Sequence, residues 1–133
     1  MSMRTPFRVL VVDDQHDGAA ALGMQLEHMG CDVHISDSGE SAIDFAPDFR
    51  PQLVILDLSM PPGIDGYQTA FQLKKQPWSD SASFVAHSGT SDPRVAEAVE
   101  RAGFRFYVSK PAAAMAFETI VTSLRDDEMP ATT

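Results

Sequence analysis

The stretch Gln52-Leu-Val-Ile-Leu-Asp57 decides the fold, because an uninterrupted apolar run stops at an acidic side chain. A run without polar alternation predicts a strand of a parallel sheet that helices cover on both faces. Charged residues follow two other apolar runs in the same way: Asp13 and Asp14 follow Arg8-Val-Leu-Val-Val12, and Lys110 follows Phe106-Tyr-Val-Ser109. Because ligands of open α/β sheets bind outside the carboxyl ends of the strands, we expect these four side chains to meet in one crevice.

Short β-branched runs alternate with longer helical segments along the chain, which predicts βαβ units and a parallel sheet. The predicted strands are Val9–Val12, Asp32–Ile35, Leu53–Leu56, Ser83–His87 and Arg105–Val108. The predicted helices are Asp17–Met29, Gly39–Phe45, Gly66–Gln76, Pro93–Arg101 and Ala112–Asp127. We expect Gly30 and Gly103 to end two helices in left-handed backbone, and Ser91 and Asp92 to cap the helix that starts at Pro93.

Length and composition predict one globular domain. The chain has 133 residues, of which 44% are hydrophobic, and we place the domain at residues 1–126 with a polar tail at residues 127–133. The sequence has no apolar run long enough for a membrane span and no signal-peptide core, so we expect a cytoplasmic protein. The single cysteine, Cys31, fits a reducing compartment. The net charge of −9 disfavours direct binding to nucleic acid.

The residues expected in the crevice predict a metal and phosphate site. Three carboxylates in one place repel one another unless a cation joins them, and oxygen ligands suit a hard ion such as Mg²⁺. The histidines lack the paired spacing of a metal site. Lys110 adds a positive charge suited to a phosphoryl group, and Ser88, at the end of the fourth predicted strand and directly after its last residue, supplies a hydroxyl. With Asp57 as the nucleophile, attack on phosphorus would give an aspartyl phosphate.

Each of these residues taken alone could have a structural role. Aspartates cap helices and start turns, and a serine hydroxyl can satisfy a backbone group. Lys110 and Pro111 could equally form an ordinary loop. Their joint placement at strand ends favours a functional site.

From about Arg8 to Leu124, the chain resembles the receiver domain of two-component response regulators. The resemblance rests on the motifs Val11-Val-Asp-Asp14, Ser38-Gly-Glu-Ser-Ala42, Asp57-Leu-Ser-Met-Pro61 with Asp65-Gly66, and Gly103-Phe-Arg-Phe-Tyr-Val-Ser-Lys-Pro111. It implies a flavodoxin-like, doubly wound α/β fold. In that fold, five parallel strands in the order 2-1-3-4-5 lie between two helical layers.

The resemblance also implies a role for each site residue. Asp57 would be phosphorylated, and Asp13 and Asp14 would hold Mg²⁺ together with Asp57, one of them through water. The backbone carbonyl of Ser59 would be a further ligand. Matching the family motif residue by residue gives the remaining roles: Ser88 for the switch hydroxyl, Tyr107 for the switch aromatic residue, and Lys110 for contact with the phosphoryl group. The bond between Lys110 and Pro111 would be cis, as is common in the family.

Two positions depart from the family pattern. The loop Pro61–Gly66 is one residue longer than usual, and Gly89 stands after Ser88 where alanine is common. Because Ser59 is also small, the phosphoryl group would be open to water or to a phosphatase. Our hypothesis is therefore a short-lived phosphate on Asp57.

We expect a stand-alone switch that takes phosphate from a sensor histidine kinase or a histidine phosphotransfer protein. Phosphorylation would draw Ser88 and Tyr107 inward and bias the face of the fourth helix, fifth strand and fifth helix toward binding a downstream protein. Tyr107 could instead be a plain core or surface aromatic. The chain would either pass phosphate on or bind an effector, as a monomer or a homodimer, and the sequence leaves these versions open.

Three other classes of function remain as alternatives. One is an interaction module of the same fold that is never phosphorylated. Another is a phosphatase of the haloacid-dehalogenase type, which needs an aspartate where this chain has Ser59. We expect no enzymatic activity beyond self-phosphorylation and self-dephosphorylation of Asp57. A third is a flavin-binding protein, but the segment Asp13–Asp17 would repel a phosphate.

Overall fold

A computed structural model describes residues 6–60, 63–89, 92–110 and 114–128 of the chain. The strands are β1 Phe7–Val12, β2 Cys31–Ser36, β3 Leu53–Leu56, β4 Ser83–Ser88 and β5 Phe106–Ser109. The helices are α1 His16–His28, α2 Gly39–Phe49, α3 Gly66–Lys74, α4 Pro93–Arg101 and α5 Ala114–Glu128, with a 3-10 helix at Pro77–Ser81. Within these ranges, every helix is too short or too polar to cross a bilayer.

The five strands form one parallel sheet in the order β2-β1-β3-β4-β5, as the resemblance implies. Successive side chains of a strand point to opposite faces, so the apolar strands supply two cores. One core lies between the sheet and helices α1 and α5, and it includes Val9, Ile55 and Phe117. The other includes Leu10 and Phe84 and is closed by side chains of α2, α3 and α4. The continuous apolar runs of β1 and β3 therefore have the predicted cause, which is burial on both faces, whereas β5 lies at the edge of the sheet and is only partly buried.

Helix α2 is longer than the sequence predicted, because it passes through a proline. We expected it to end at Phe45, but it runs to Phe49 with Pro47 inside. A proline has no N–H for the carbonyl four residues earlier, which here belongs to Ile43. The Gln76 side chain supplies the missing donor, since its Nε2 lies 3.2 Å from the Ile43 carbonyl oxygen. A contact from outside the helix thus compensates for the break that local sequence indicates.

Helix α3 is shorter than predicted. It ends at Lys74 and not at Gln76, and a 3-10 helix begins at Pro77. The residue before a proline avoids helical backbone, and Gln76 is extended at φ −82° and ψ 140°. The Ser79 hydroxyl then donates to the Lys74 carbonyl at 2.9 Å, which secures the new turn.

The predicted caps are confirmed wherever the structure describes them. Gly30 and Gly103 have φ values of 89° and 87°, and the Asp92 side chain accepts a hydrogen bond from the Arg94 N–H. Ser91 lies outside the described residues.

The bounds of β3 and α4 are as predicted, and those of the other strands differ by one or two residues. The predicted start of α5 at Ala112 lies outside the described residues. Because α5 extends to Glu128, it includes the first two residues that we assigned to a tail.

Candidate functional site at the carboxyl ends of the strands

The sheet itself positions the predicted site residues. The backbone N–H groups of three of them each donate to a neighbouring strand, one residue beyond the strand end. The Asp13 N–H bonds to the Ser36 carbonyl at 3.0 Å, Asp57 to Val12 at 2.9 Å, and Lys110 to Ser88 at 2.7 Å. Their side chains therefore start from backbone that is hydrogen-bonded into the sheet, and they converge on one edge.

Lys110 joins two of the buried carboxylates. Its Nζ lies 2.8 Å from Asp13 Oδ2 and 3.2 Å from Asp57 Oδ2. Asp13 is 5% exposed and Asp57 is 6% exposed, so these ion pairs are screened only weakly by water. The predicted meeting of these three side chains is present in the structure.

The pKa values in this cluster reflect burial and charge. Burial raises the pKa of the Asp57 carboxyl and the Asp13 charge raises it further, while the Ser59 N–H and the Lys110 charge oppose the rise. For Lys110, burial lowers the pKa, but hydrogen bonds and charges from Asp13 and Asp57 outweigh it, so the net pKa is raised. Lys110 therefore remains a cation that balances the carboxylates.

The remaining carboxylate oxygens are oriented by backbone groups. Asp57 Oδ1 accepts a hydrogen bond from the Ser59 N–H at 3.1 Å. Asp13 Oδ1 accepts one from the Gln15 N–H at 2.9 Å, just before helix α1 begins. Both side chains are thus fixed at one oxygen and face Lys110 with the other.

Asp13, Asp14 and Asp57 together form a group that could hold a cation. Each offers one carboxylate oxygen, and these three oxygens lie within 4.8 Å of one another. Hard oxygen donors of this kind fit Mg²⁺, which takes one or two carboxylates, phosphate oxygens and water. One lysine cannot neutralise three carboxylates, so the donor set fits a divalent ion. The role of the Ser59 carbonyl as a ligand stays a prediction.

Gly66 makes possible the close packing of α3 against the strand end that carries Asp57. A Cβ at this position would overlap the Asp57 carbonyl oxygen and lie 2.7 Å from Leu58 Cα. The Gly66 N–H donates to the Leu58 carbonyl at 3.1 Å. Asp65 precedes it as the cap of α3 and forms a capping box with Gln68. The sequence pointed to Asp65-Gly66 only as a motif, and the structure supplies its steric reason.

Ser88 and Tyr107 contact each other beside this site. Ser88 is 7% exposed at the end of β4, and Tyr107 is half-buried on β5. Burial raises the pKa of the Tyr107 hydroxyl, and a hydrogen bond with the Ser88 side chain opposes that rise. A change at Ser88 can therefore reach Tyr107 directly. Their movement as a switch stays a prediction.

His87 is a site neighbour that the sequence reasoning passed over. Its ring packs edge-on against Phe117 at 5.0 Å, and its Nε2 is buried without a hydrogen-bond partner among the described residues. Burial and, to a lesser extent, the nearby Lys110 charge lower the pKa of His87 to about 4, and the Asp13 charge opposes that fall. Strand alternation alone predicts that His87 faces α1 and α5, which was the available signal.

The comparisons with known proteins agree with this geometry. A family model described as the response regulator receiver domain matches residues 9–122. A 14.6 kDa protein of Leptolyngbya boryana, uncharacterised, is 27% identical over 77% of this chain and 78% of its own length. The alkaline phosphatase synthesis transcriptional regulatory protein PhoP of Bacillus subtilis is 36% identical over 52% of this chain, which corresponds to 28% of PhoP.

A solved structure shows the same fold. It is the CheY-like response regulator receiver domain protein of Methanospirillum hungatei JF-1, with a TM-score of 0.82 at 20% identity. The match covers 93% of this chain and 98% of that one. Phosphorylation of an aspartate and binding of Mg²⁺ are general features of the matched family, and the acidic cluster found here has the residues for both. The chain belongs to the response regulator receiver domain family.

Proposed function

We propose that this chain is a phosphoryl-accepting switch in which Asp57 takes the phosphoryl group from the histidine of a sensor kinase or of a histidine phosphotransfer protein. The observation that carries the proposal is the Lys110 ammonium, which lies within 3.2 Å of both Asp13 and Asp57 where three strands end. A single cation beside a buried nucleophile and a second carboxylate suits phosphoryl transfer, which depends mainly on positioning and charge.

The transfer step balances with the groups at hand. An Asp57 carboxylate oxygen forms a bond to phosphorus, the bond from phosphorus to the donor imidazole nitrogen breaks, and its electron pair stays on the imidazole. The Ser59 N–H holds Asp57 in place, and Lys110 is near enough to turn from the carboxylates to the incoming phosphoryl oxygens. Mg²⁺, held by Asp13, Asp14 and Asp57, would supply positive charge to the phosphoryl group.

The output of the switch is a change in protein binding. The Ser88 side chain is hydrogen-bonded to Tyr107, so a phosphoryl group that attracts the Ser88 hydroxyl alters the position of Tyr107. Tyr107 lies on β5, beside α4. Its altered position shifts the population of conformations of the face formed by α4, β5 and α5 toward those that bind a downstream protein. The chain then either hands the phosphate on or binds an effector, and these are two versions of one function. In both versions it acts in the cytoplasm and binds no nucleic acid.

The phosphate on Asp57 is short-lived in this proposal. A Cβ added at Gly89 would meet no described residue within 4 Å, so nothing in the described part of the chain fills the space after Ser88. Water or a phosphatase can therefore approach the site. A phosphate that persists for many hours in the presence of Mg²⁺ would contradict this part of the proposal.

Intact-protein mass spectrometry tests the proposal. After addition of Mg²⁺ and a small acyl phosphate, the wild-type chain should gain one phosphoryl group and Asp57→Ala should gain none. Asp44→Ala removes an exposed aspartate from α2 and should be labelled like the wild type. If neither the acyl phosphate nor a phosphorylated histidine phosphotransfer protein adds mass, the chain acts as an interaction module without phosphorylation.

Thermal unfolding tests the metal separately. Mg²⁺ should raise the unfolding midpoint, because a ligand that binds only the folded state stabilises it. Asp13→Asn should abolish that rise. An equal rise in the variant would place the ion elsewhere.

A further inference from the structure

A cavity of about 570 Å³ opens at the other end of the sheet, where the strands begin. Arg8 from β1, Arg50 from the segment between α2 and β3, and Trp78 from the 3-10 helix line it together with three prolines. This volume is within the range of small-molecule pockets. Because the phosphorylation site lies at the opposite edge of the sheet, the cavity belongs to neither the phosphoryl group nor the metal.

The two arginines bring positive charge that the described part of the chain does not neutralise. Arg8 Nε donates to the Arg50 carbonyl at 2.7 Å, and within the described ranges no bond involves the two Nη atoms of Arg8. The Arg50 guanidinium makes no hydrogen bond or ion pair with any residue that the structure describes. The sequence has 19 acidic and 10 basic residues, so two guanidinium groups without a carboxylate partner stand out.

The backbone at Arg50 holds this arrangement firmly. Arg50 has φ 51° and ψ 65°, the left-handed conformation that favours glycine, and among the described non-glycine residues it alone has a positive φ. Its N–H donates to the Ala46 carbonyl at 2.8 Å, and its own carbonyl accepts the bond from Arg8. A side chain placed at a position suited to glycine is consistent with a role for that side chain.

The neutral polar groups of the cavity are already used within the protein. Gln52 Oε1 accepts from the Arg8 N–H at 2.9 Å. Gln76 donates to the Ile43 carbonyl and accepts from Trp78 Nε1. These amide groups therefore contribute little to ligand recognition. What remains available to a ligand is the positive charge of the two arginines and a flat apolar surface.

Trp78 provides the flat surface. Its ring stacks on the buried Phe84 ring at 6.2 Å with an angle of 21° between the planes, and the side chain also lines the cavity. Guanidinium groups bind carboxylate and phosphate oxygens in paired hydrogen bonds. A ligand that matches both features carries an oxyanion and a planar ring.

We propose that this cavity binds a small ring-bearing anion, with its carboxylate or phosphate group at the Arg8 and Arg50 guanidinium groups and its ring against Trp78.

The single tryptophan of the sequence gives a direct test, because it contributes one indole N–H signal to a ¹H–¹⁵N spectrum. The probes are phenyl phosphate and benzoate, with inorganic phosphate and phenol as partial ligands. We expect a saturable shift of the Trp78 signal in the millimolar range with a complete probe, and weaker binding of both partial ligands. Saturation by phenyl phosphate alone assigns a phosphate ligand, and saturation by benzoate alone assigns a carboxylate. Saturation by neither, or equal affinity for inorganic phosphate, overturns the proposal.

Three variants separate binding from folding. Arg50→Gln should weaken the complete probe at least tenfold, since it removes the cation and keeps the length of the side chain. Arg101→Gln removes an exposed guanidinium on α4 and should bind like the wild type. Arg50→Gly suits the left-handed backbone, so it should lose binding without losing thermal stability. Equal affinity in Arg50→Gln would overturn the proposal.

Discussion

The two ends of the sheet carry opposite charge, and their polar groups are used differently. At the carboxyl ends, Asp13 and Asp57 share one Lys110, so the carboxylates outnumber the cations. At the amino ends, Arg8 and Arg50 have no carboxylate partner within the described part of the chain. The comparison teaches that one fold can hold two sites of opposite charge. Carboxylates are in excess at the carboxyl ends of the strands, and guanidinium groups are in excess at the amino ends.

The largest effect is expected from breaking the carboxyl end at Gly66. Gly66→Ala should lower the free energy of unfolding by about 3 kcal/mol, because the new methyl group meets backbone that cannot move aside cheaply. Urea denaturation measures the loss, and labelling by acyl phosphate should fall with it.

Gly18→Ala is the matched control for this substitution. A Cβ at Gly18 meets none of the described residues within 4 Å, and alanine favours the helix, so we expect stabilisation of about 0.5–1 kcal/mol. Equal effects of the two substitutions would remove the steric account of Gly66.

At the amino end, Gln76→Leu should cost about 2 kcal/mol. The substitution leaves the Ile43 carbonyl without the donor that replaces the N–H missing at Pro47, and it leaves Trp78 Nε1 without an acceptor. Gln72→Leu, at an exposed position of α3, should change the unfolding free energy little. Comparable losses of unfolding free energy in both variants would mean that the Gln76 amide does not stabilise this end of the sheet.

A smaller effect, which depends on pH, is expected at His87. The unfolded state takes up a proton as the pH falls through about 6.5, whereas the folded state does so only near 4. The folded protein should therefore lose about 1–2 kcal/mol of stability between pH 7 and pH 5, with no further loss from this group below pH 4. His87→Leu should remove that part of the slope in urea titrations at several pH values.

Gln72→Leu, at an exposed position of α3, gives the control for this titration, because it removes no titratable group and should keep the slope of the wild type. A slope unchanged in His87→Leu would assign the acid sensitivity to other groups.

The smallest effect sharpens the comparison at the amino end. Arg50→Gly should raise the free energy of unfolding by about 0.5–1 kcal/mol, because glycine adopts left-handed backbone without steric cost. Chemical denaturation at pH 7 measures it. A decrease would show that contacts of the arginine side chain outweigh the backbone strain.

The carboxyl end could be predicted from the sequence because its rule is local. Asp13, Asp57 and Lys110 each directly follow an apolar run, and in a parallel sheet the ends of such runs meet. Strand β3 and helix α4 were predicted with correct bounds, since each has an apolar run or a cap and proline at its start. Their signals lie within a few residues.

The amino end could not be predicted, because its contacts join segments that share no motif. Gln76 repairs helix α2 from 33 residues away, so local sequence around Pro47 indicates a helix end that the fold does not have. Residue 50 is an arginine and not a glycine, so the sequence does not indicate its left-handed backbone. His87 is similar, since its position in β4 gives its direction but does not show that its Nε2 lacks a hydrogen-bond partner among the described residues.

The contact between Lys110 and Asp13 joins positions 97 residues apart in the chain. On the ribosome, β1 and β3 are made before β5, so Asp13 and Asp57 enter the growing chain well before Lys110 does. A chain cut before β5 would therefore keep both carboxylates and lose the cation that they share. The charge balance at this edge of the sheet is in this sense completed late, when the residue that follows β5 joins the chain.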